Sequence, residues 1–345
     1  MKPGIHFIFL ILLQGFAGTL QAEDPSSKKA TSNKPISYAA IDQRAIKAPP
    51  SAETSVESLA EYLGKTAKND REKARAIYRW ITEHIAYDVP SFLAKERKDN
   101  SPEGVLKSHL CVCEGYAKLF QALCEKAGVE AILVGGRAKA TEFLDDPQMT
   151  AHAWNAIKLD GEWHLVDATW GAGGIKNKQF VKQFKDYYFL APPDQFIFTH
   201  FPIDSKWQLL PDVRTENEFD AFPPVPQGLF QYGVKSAAIL KTIEAKEFRD
   251  FVKTYDYPGR PVTIVEAPLD KILKAGKQYR FRIEAGPFQG FVAENQGRQM
   301  LFTPKKGKLH EAMVIAPPGT LKIRGVVSGQ PGRYVLWTVL EYTGE

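Results

Sequence analysis

Three residues of types that do chemistry together occur in the order Cys113, His152 and Asp167. Cys113 is followed by Tyr116, Phe120, Leu123, Cys124 and Ala127, whose spacing places them on one face of a helix, and Gly128 supplies a C-terminal stop. The cysteine therefore stands at or near the start of that helix. Unpaired backbone N–H groups and the positive end of the helix dipole favour a thiolate there, and a cationic histidine nearby favours it further. A thiolate is a nucleophile. Without such surroundings a free cysteine is a small apolar core residue, as most are.

Ala151 to Leu159 and Glu162 to Ala168 read as two strands joined by Asp160-Gly161, a two-residue turn that strongly marks a hairpin. Counting back from the turn pairs Leu159 with Glu162, Trp154 with Asp167 and His152 with Thr169. His152, Trp154, Trp163, Leu165, Asp167 and Thr169 then share one face. His152 and Asp167 become diagonal neighbours, ~7–8 Å apart at Cα, and a one-residue slip would separate them. His164 falls on the opposite face and is excluded from the site. With the cysteine upstream, the chemistry is thiol acyl transfer. His152 takes the Cys113 proton, and Asp167 orients the ring and stabilises its positive form. The thiolate attacks a carbonyl, the amine leaves with a proton from His152, and water or a primary amine resolves the thioester. The Cys113 N–H is the natural first donor to the oxyanion, with Trp80 and Tyr87 as candidates for a second. Trp154 and Trp170 are candidates for lining an acyl cleft, or for the sheet core.

Other elements must position these residues. Val56, Leu59, Ala60 and Leu63 define a helix after Ser55. Asn69, with Glu72 three residues on, caps a second helix whose stripe is Ala74, Ile77, Tyr78, Ile81 and Ile85. Residues 91–108 read as a polar loop, Ala131 to Val134 as a strand before Gly135-Gly136, and Lys185 to Leu190 as a further strand. The run Phe222-Pro223-Pro224-Val225-Pro226-Gln227-Gly228 reads as a boundary. Beyond it, short alternating segments between Gly and Pro turns follow the pattern of a β-sandwich.

The chain has 345 residues, 44% apolar and 25% charged, enough for two domains and inconsistent with a disordered or collagen-like chain. Lys and Arg number 45 against 40 Asp and Glu. So small and dispersed an excess gives no nucleic-acid-binding face. Met1-Lys2, the apolar run from Ile5 to Leu13, and small residues ending at Ala22 have the layout of a secretory signal. The expectation is a secreted or periplasmic protein with no integral membrane span once residues 1–22 are removed. Across a helix from Cys113 to Cys124 the ends lie ~16 Å apart, too far for a disulfide. Cys111 is expected as a packed neighbour of Cys113, with oxidation to a bond between the two as the alternative. His109, Cys111 and Cys113 are metal-ligand types, but Cys-x-Cys alone is a weak signal and no second pair follows. No metal or cofactor is expected.

Cys113-Glu114-Gly115-Tyr116-Ala117, His152-Ala153-Trp154-Asn155 and Asp167-Ala168-Thr169-Trp170 resemble, in order, the three blocks of the transglutaminase-like superfamily. The branch most resembled is the bacterial relatives of the kyphoscoliosis-type peptidases. Ile81 to Asp88 upstream, and Phe201-Pro202 with Trp207-Gln208-Leu209-Leu210 downstream, also suit that branch. The resemblance implies an α+β fold: a papain-like core with a helix-borne cysteine packed on an antiparallel sheet, here followed by a small β-sandwich-like domain. It also implies Cys113, His152 and Asp167 as a catalytic triad.

The expected organisation is a signal at 1–22, a polar linker at 23–52 and a catalytic domain at 53–215. A Pro-rich linker follows at 216–226, then a β-rich accessory domain at 227–345. The expected function is a cysteine peptidase, amidase or acyltransferase acting on protein or peptide amides. The alternative is an idle fold of the same type that binds proteins.

Overall fold

The helix that carries Cys113 forms as its spacing requires, running from Cys113 to Lys126 in the computed structural model. The structure describes residues 37–96, 98–139, 149–255, 262–330 and 333–345. Residues 1–22, read as a signal, lie outside this set.

In chain order the first part comprises α1 (Ala39–Ile46), α2 (Val56–Gly64), α3 (Asp70–His84), β1 (Ala86–Tyr87), α4 (Val89–Ala94), α5 (Pro102–Ser108), β2 (Leu110–Cys111), α6 (Cys113–Lys126), β3 (Ala131–Lys139) and β4 (Met149–Leu159). Then follow β5 (Glu162–Val166), α7 (Ala168–Ala172), the hairpin β6 (Gly173–Lys176) and β7 (Gln179–Lys182), β8 (Phe189–Ala191), α8 (Pro193–Phe196) and β9 (His200–Pro202). The central sheet has the order β8-β5-β4-β3-β9 and is antiparallel throughout.

Local sequence explains the two helices that lead up to the site. Ser55 and Asn69 cap α2 and α3 by accepting the N–H of Ser58 at 3.1 Å and of Glu72 at 2.9 Å. Val56, Leu59, Ala60 and Leu63 are all buried, and each large one contributes about 1.5–3 kcal/mol by leaving water. The α6 face of Tyr116, Leu119, Phe120, Leu123 and Cys124 is buried in the same cluster. Gly128 ends the helix at φ 78°, a conformation that suits glycine.

Several segments differ from their sequence reading. The polar linker expected through residue 52 contains α1, because Arg75 of α3 grips it. Arg75 is 3% exposed and bonds both oxygens of Asp42 at 2.7 Å. It also pairs with Asp186, tying α1 and α3 to the chain just before β8. The expected loop at 91–108 holds α4 and α5. Asp88 and Ser101 cap these, each helix having Pro in its first turn, where a missing N–H costs nothing. The strand read as Ala131 to Val134 continues to Lys139, and the one read at Lys185 to Leu190 is reduced to β8 after a 3-10 turn.

The hairpin register is as counted, with Leu159 opposite Glu162 and Asn155 opposite Val166. However, β5 ends at Val166. Asp167 turns out of the ladder to cap α7, so the pairing of His152 with Thr169 does not form. Aspartate is among the best N-caps, and that use prevails over strand pairing.

The second part begins with α9 (Glu216–Ala221), α10 (Gln227–Gln231) and α11 (Ser236–Ile243). The first of these occupies the segment read as a Pro-rich linker. Thr215 and Glu218 form a reciprocal capping box there. A six-stranded sheet follows, built around Gly319–Gln330 and Arg333–Gly344, with a four-stranded sheet built around Gln278–Glu284 and Leu309–Ile315. Phe281 and Ile283 of the smaller sheet share one buried cluster with Phe291, Ile323, Leu340 and Tyr342 of the larger. Two sheets closed over a common apolar layer make a sandwich. Ile197 and Phe198, just before β9, belong to that second cluster. Among the described residues no sheet runs from the first part into the second.

Candidate active site

Cys113 is the first residue of α6, after Val112 in extended conformation with no side-chain cap. Its N–H is among those with no intrahelical acceptor. Asn155, fully buried on β4, fixes this helix to the sheet: its Nδ2 donates to the carbonyls of Ala117 (3.0 Å) and Ile132 (3.1 Å). The cysteine helix and the histidine strand are thus joined three residues from His152.

His152 and Asp167 meet directly, Nε2 to Oδ2, at 2.8 Å. Cys113 lies close enough to this ring for its side chain to be among the groups that raise the His152 pKa. The three residues singled out by spacing therefore come together, although Asp167 arrives from a helix cap rather than a strand. Its backbone is placed by N–H donation to the Tyr188 carbonyl at 3.0 Å, on the segment that Arg75 holds through Asp186.

The Asp167 carboxylate is wholly buried and accepts four hydrogen bonds. Oδ1 takes the N–H groups of Thr169 (2.8 Å) and Trp170 (3.1 Å). Oδ2 takes Nε2 of His152 and, at 3.1 Å, Nε2 of a second histidine, His200. Burial alone would raise its pKa, but the His152 charge and the bonds from both rings hold it well below the usual carboxylate range. For His152, burial pushes the imidazolium pKa down. The charge and hydrogen bond of Asp167, with Cys113, outweigh this and raise it to about 10.

His200 was not singled out from the sequence. It lies on β9, which pairs with β3, which in turn pairs with β4. Gly136 stands opposite both His152 and Pro202, and Ala138 opposite His200. Directly paired residues share a face, so His152 and His200 project on the same side with β3 between them. A Cβ at Gly136 would sit 2.5 Å from the Trp154 ring and 2.3 Å from the Phe201 carbonyl. Only glycine permits this close packing.

The remaining candidates divide clearly. Trp154 and Trp170 are buried and pack on the histidines, with ring centroids 5.2 and 4.5 Å from His200; they form the wall of the polar centre. Trp80 Nε1 donates to Glu53 at 3.3 Å, which removes it as an oxyanion donor. Tyr87, on β1 opposite Cys111, stays near Cys113. Burial, then the charges of Cys113 and Cys111, push its phenol pKa up. His164 lies in the ladder opposite Ile157, away from the site. His109 pairs with Glu53 at 3.2 Å. Cys111 and Cys124 are buried and unpaired, whereas Cys113 is half-buried and also unpaired. Burial pushes the thiol pKa values of Cys111 and Cys124 up.

His152, Asp167 and His200 are residue types that bind metal, with ligand atoms within 4.8 Å of one another. Ligand atoms around an ion with ~2.1 Å bonds stand about 3 Å apart or more. The 2.8 Å contact between His152 and Asp167 fits a shared proton better than a shared ion.

Residues 57–168 match the family model of the transglutaminase-like superfamily. This stretch is a transglutaminase-like domain. The chain is 33% identical over 204 residues to kyphoscoliosis peptidase of Homo sapiens, covering 56% of this chain and 31% of the relative. The Mus musculus protein of the same name gives 34% over 202 residues, with the same coverage. The Lim and transglutaminase domain protein ltd-1 of Caenorhabditis elegans gives 30% over 212 residues, covering 57% of this chain and 29% of the relative. The chain thus spans less than a third of the length of each. His200 lies beyond the residues matched to the transglutaminase-like domain model.

Proposed function

We propose that the transglutaminase-like domain is a cysteine enzyme acting on protein or peptide amides, with Cys113 as nucleophile, His152 as general base and acid, and Asp167 as the group that orients His152. One observation carries this reading: a buried Asp167 bonds Nε2 of His152 at 2.8 Å, and that ring lies within reach of the half-buried Cys113 at a helix start. In such a pair the proton moves from Cys113 to His152, and Asp167 stabilises the imidazolium. The thiolate attacks the carbonyl carbon, and the C–N bond breaks as His152 protonates the departing amine. The acyl group remains as a thioester. His152 then takes a proton from water or from an incoming amine, and the thiol is released. The Cys113 N–H is aimed at the oxyanion, with Tyr87 the side chain near enough to assist.

Mass spectrometry of the intact protein after brief exposure to a panel of glutamine-containing peptides tests this. An acyl adduct on Cys113, discharged by water or by an added primary amine, supports the reading and separates hydrolase from transferase. Absence of any adduct across the panel, in a folded protein, favours the idle binding fold. We also propose export, on the pattern of residues 1–22. N-terminal sequencing of the exported chain should begin near Glu23, and a chain retaining Phe7 to Leu13 would contradict it.

A further inference from the structure

The polar centre holds one more group than acyl transfer through Cys113, His152 and Asp167 uses. His200 is 1% exposed. Its ring stacks on Phe196 at 3.7 Å and 15° and is flanked by Trp170 and Trp154. Its two nitrogens are both engaged, Nε2 with Asp167 Oδ2 at 3.1 Å and Nδ1 with the Thr199 hydroxyl at 2.8 Å.

The proton inventory fixes how they are engaged. Asp167 is an acceptor, so His200 Nε2 carries a proton. In a neutral ring Nδ1 is then an acceptor, and the Thr199 hydroxyl, which has one proton to place between the Phe196 carbonyl at 3.2 Å and Nδ1 at 2.8 Å, gives it to the nearer Nδ1. Burial pushes the His200 imidazolium pKa down to about 4, against the pull of Asp167, and the charge on His152 opposes a second cation. One carboxylate charge in an aromatic enclosure supports one imidazolium, and His152 is that one.

We propose that His200 is a positioning residue of this site: a neutral second donor on Asp167 Oδ2 that holds the carboxylate in line with His152 and moderates how tightly it retains the His152 proton. This rests on the reading of Cys113 and His152 as a proton-sharing pair. A donor to a carboxylate stabilises its charge and lowers its basicity. His152 therefore binds its proton less tightly than it would beside an Asp167 bonded to it alone. The general acid that must release a proton to the leaving amine is kept closer to the working pH. The groups facing this unit are Cys113 from α6, His152 from β4, Asp167 at the cap of α7, and the phenols of Tyr78, Tyr87 and Tyr116. Burial first of all pushes the pKa values of these phenols up, so they stay neutral while the histidines titrate.

The test is a pH titration of the ring nitrogens by long-range ¹H–¹⁵N NMR on histidine-labelled protein: wild type, His200→Phe, His200→Asn and Cys113→Ala. In the wild type, His200 should show a protonated Nε2 and a bare Nδ1 from pH 5 to 9. His200→Phe should move the His152 midpoint upward by about one unit, with the amide spectrum showing the fold intact. His200→Asn, which retains an N–H donor, should return most of that shift. A His200 that is cationic or protonated at Nδ1 in this range overturns the proposal, as does an unmoved His152 midpoint in folded His200→Phe. Should His200→Phe not fold, the wild-type tautomer decides alone. Cys113→Ala reports separately on the underlying reading. If the His152 midpoint does not fall there, the thiolate–imidazolium pair is absent, whatever His200 does.

Discussion

The two parts of the molecule handle polar groups in opposite ways. In the part that carries Cys113, charged and polar side chains are buried repeatedly: Arg75, Asp88, Lys139, His152, Asn155, Asp167 and His200 are each under 10% exposed. Among the described residues after Ser236, no charged or polar side chain is buried. There the charges pair on the outer faces, as Arg280 with Glu311 at 3.2 Å and Arg324 with Glu294 at 2.8 Å, over an interior of aromatic and branched residues. Burying an ion is unfavourable by several kcal/mol unless it is fully bonded. The first part meets this by bonding the buried charges heavily: four donors on Asp167, and three backbone carbonyls around the Lys139 ammonium. A sheet pair that only has to pack needs none of this. The difference separates a region that encloses a polar centre from one held together by apolar packing.

Substitutions on the two sides should fail differently. Cys113→Ala or His152→Ala should remove thioester formation, a loss of roughly six orders of magnitude, and removing the pair together should cost little more than either alone. Asp167→Asn should lower the rate by about 10⁴-fold. Amide turnover by the folded variants measures all of these. A large additive loss in the double variant would mean that the residues do not act as a unit. Phe281→Ala, in the middle of the sandwich layer, should cost about 3–5 kcal/mol of stability while leaving the rate of Cys113 modification in the folded protein unchanged. Denaturant titration beside a labelling time course checks both.

The comparison also has a pH signature. His152 keeps its proton in the folded chain to about pH 10, against an ordinary value of 6.5. That stabilisation is whole below about pH 6.5 and is lost as the pH rises toward 10. His200 acts in the opposite sense. The unfolded chain protonates it near 6.5 and the folded chain only near 4, so stability falls as the pH drops through that window. Asp167, with its pKa lowered in the fold, extends the fall below the ordinary carboxylate range. The contribution of the centre should peak near pH 6.5. His152→Ala should flatten the alkaline side, and His200→Phe the acid side, in denaturation curves taken from pH 4 to 10. Unchanged slopes in both variants would detach these groups from stability. The smallest effect is expected from Arg280→Ala on the exposed sheet face: under about 1 kcal/mol, and less in high salt.

What the sequence disclosed follows the distance over which each contact acts. The α6 start, the caps at Ser55 and Asn69, and the register of the hairpin are set within a few residues, and spacing alone reveals them. The same arithmetic places His152 near Asp167, although the strand ends two residues earlier than its pattern suggests, because Asp167 caps α7 instead of pairing. His200 was out of reach. Its place depends on β9 joining β3, a pairing between segments more than sixty residues apart that no local pattern encodes. Gly136 was a visible trace of that crowding, but its meaning appears only once Trp154 and Phe201 are beside it. Helix α1 was missed for the same reason, since Asp42 is a polar residue in a polar stretch until Arg75 reaches it. The capping box at Thr215 and Glu218 was legible, and the nearby prolines drew the reading toward a linker instead.

Acyl transfer by this domain requires Cys113 to be the thiol that His152 holds as a nucleophile, and the rate of alkylation at each cysteine measures this most directly. Native protein is treated briefly with iodoacetamide near pH 7, and Cys111, Cys113 and Cys124 are quantified by peptide mass spectrometry, in the wild type and in His152→Ala. The prediction is modification at Cys113 alone, slowed at least tenfold in His152→Ala, with Cys111 and Cys124 reacting only after unfolding. Equal modification of Cys111 and Cys113, or a Cys113 rate indifferent to His152, would contradict it.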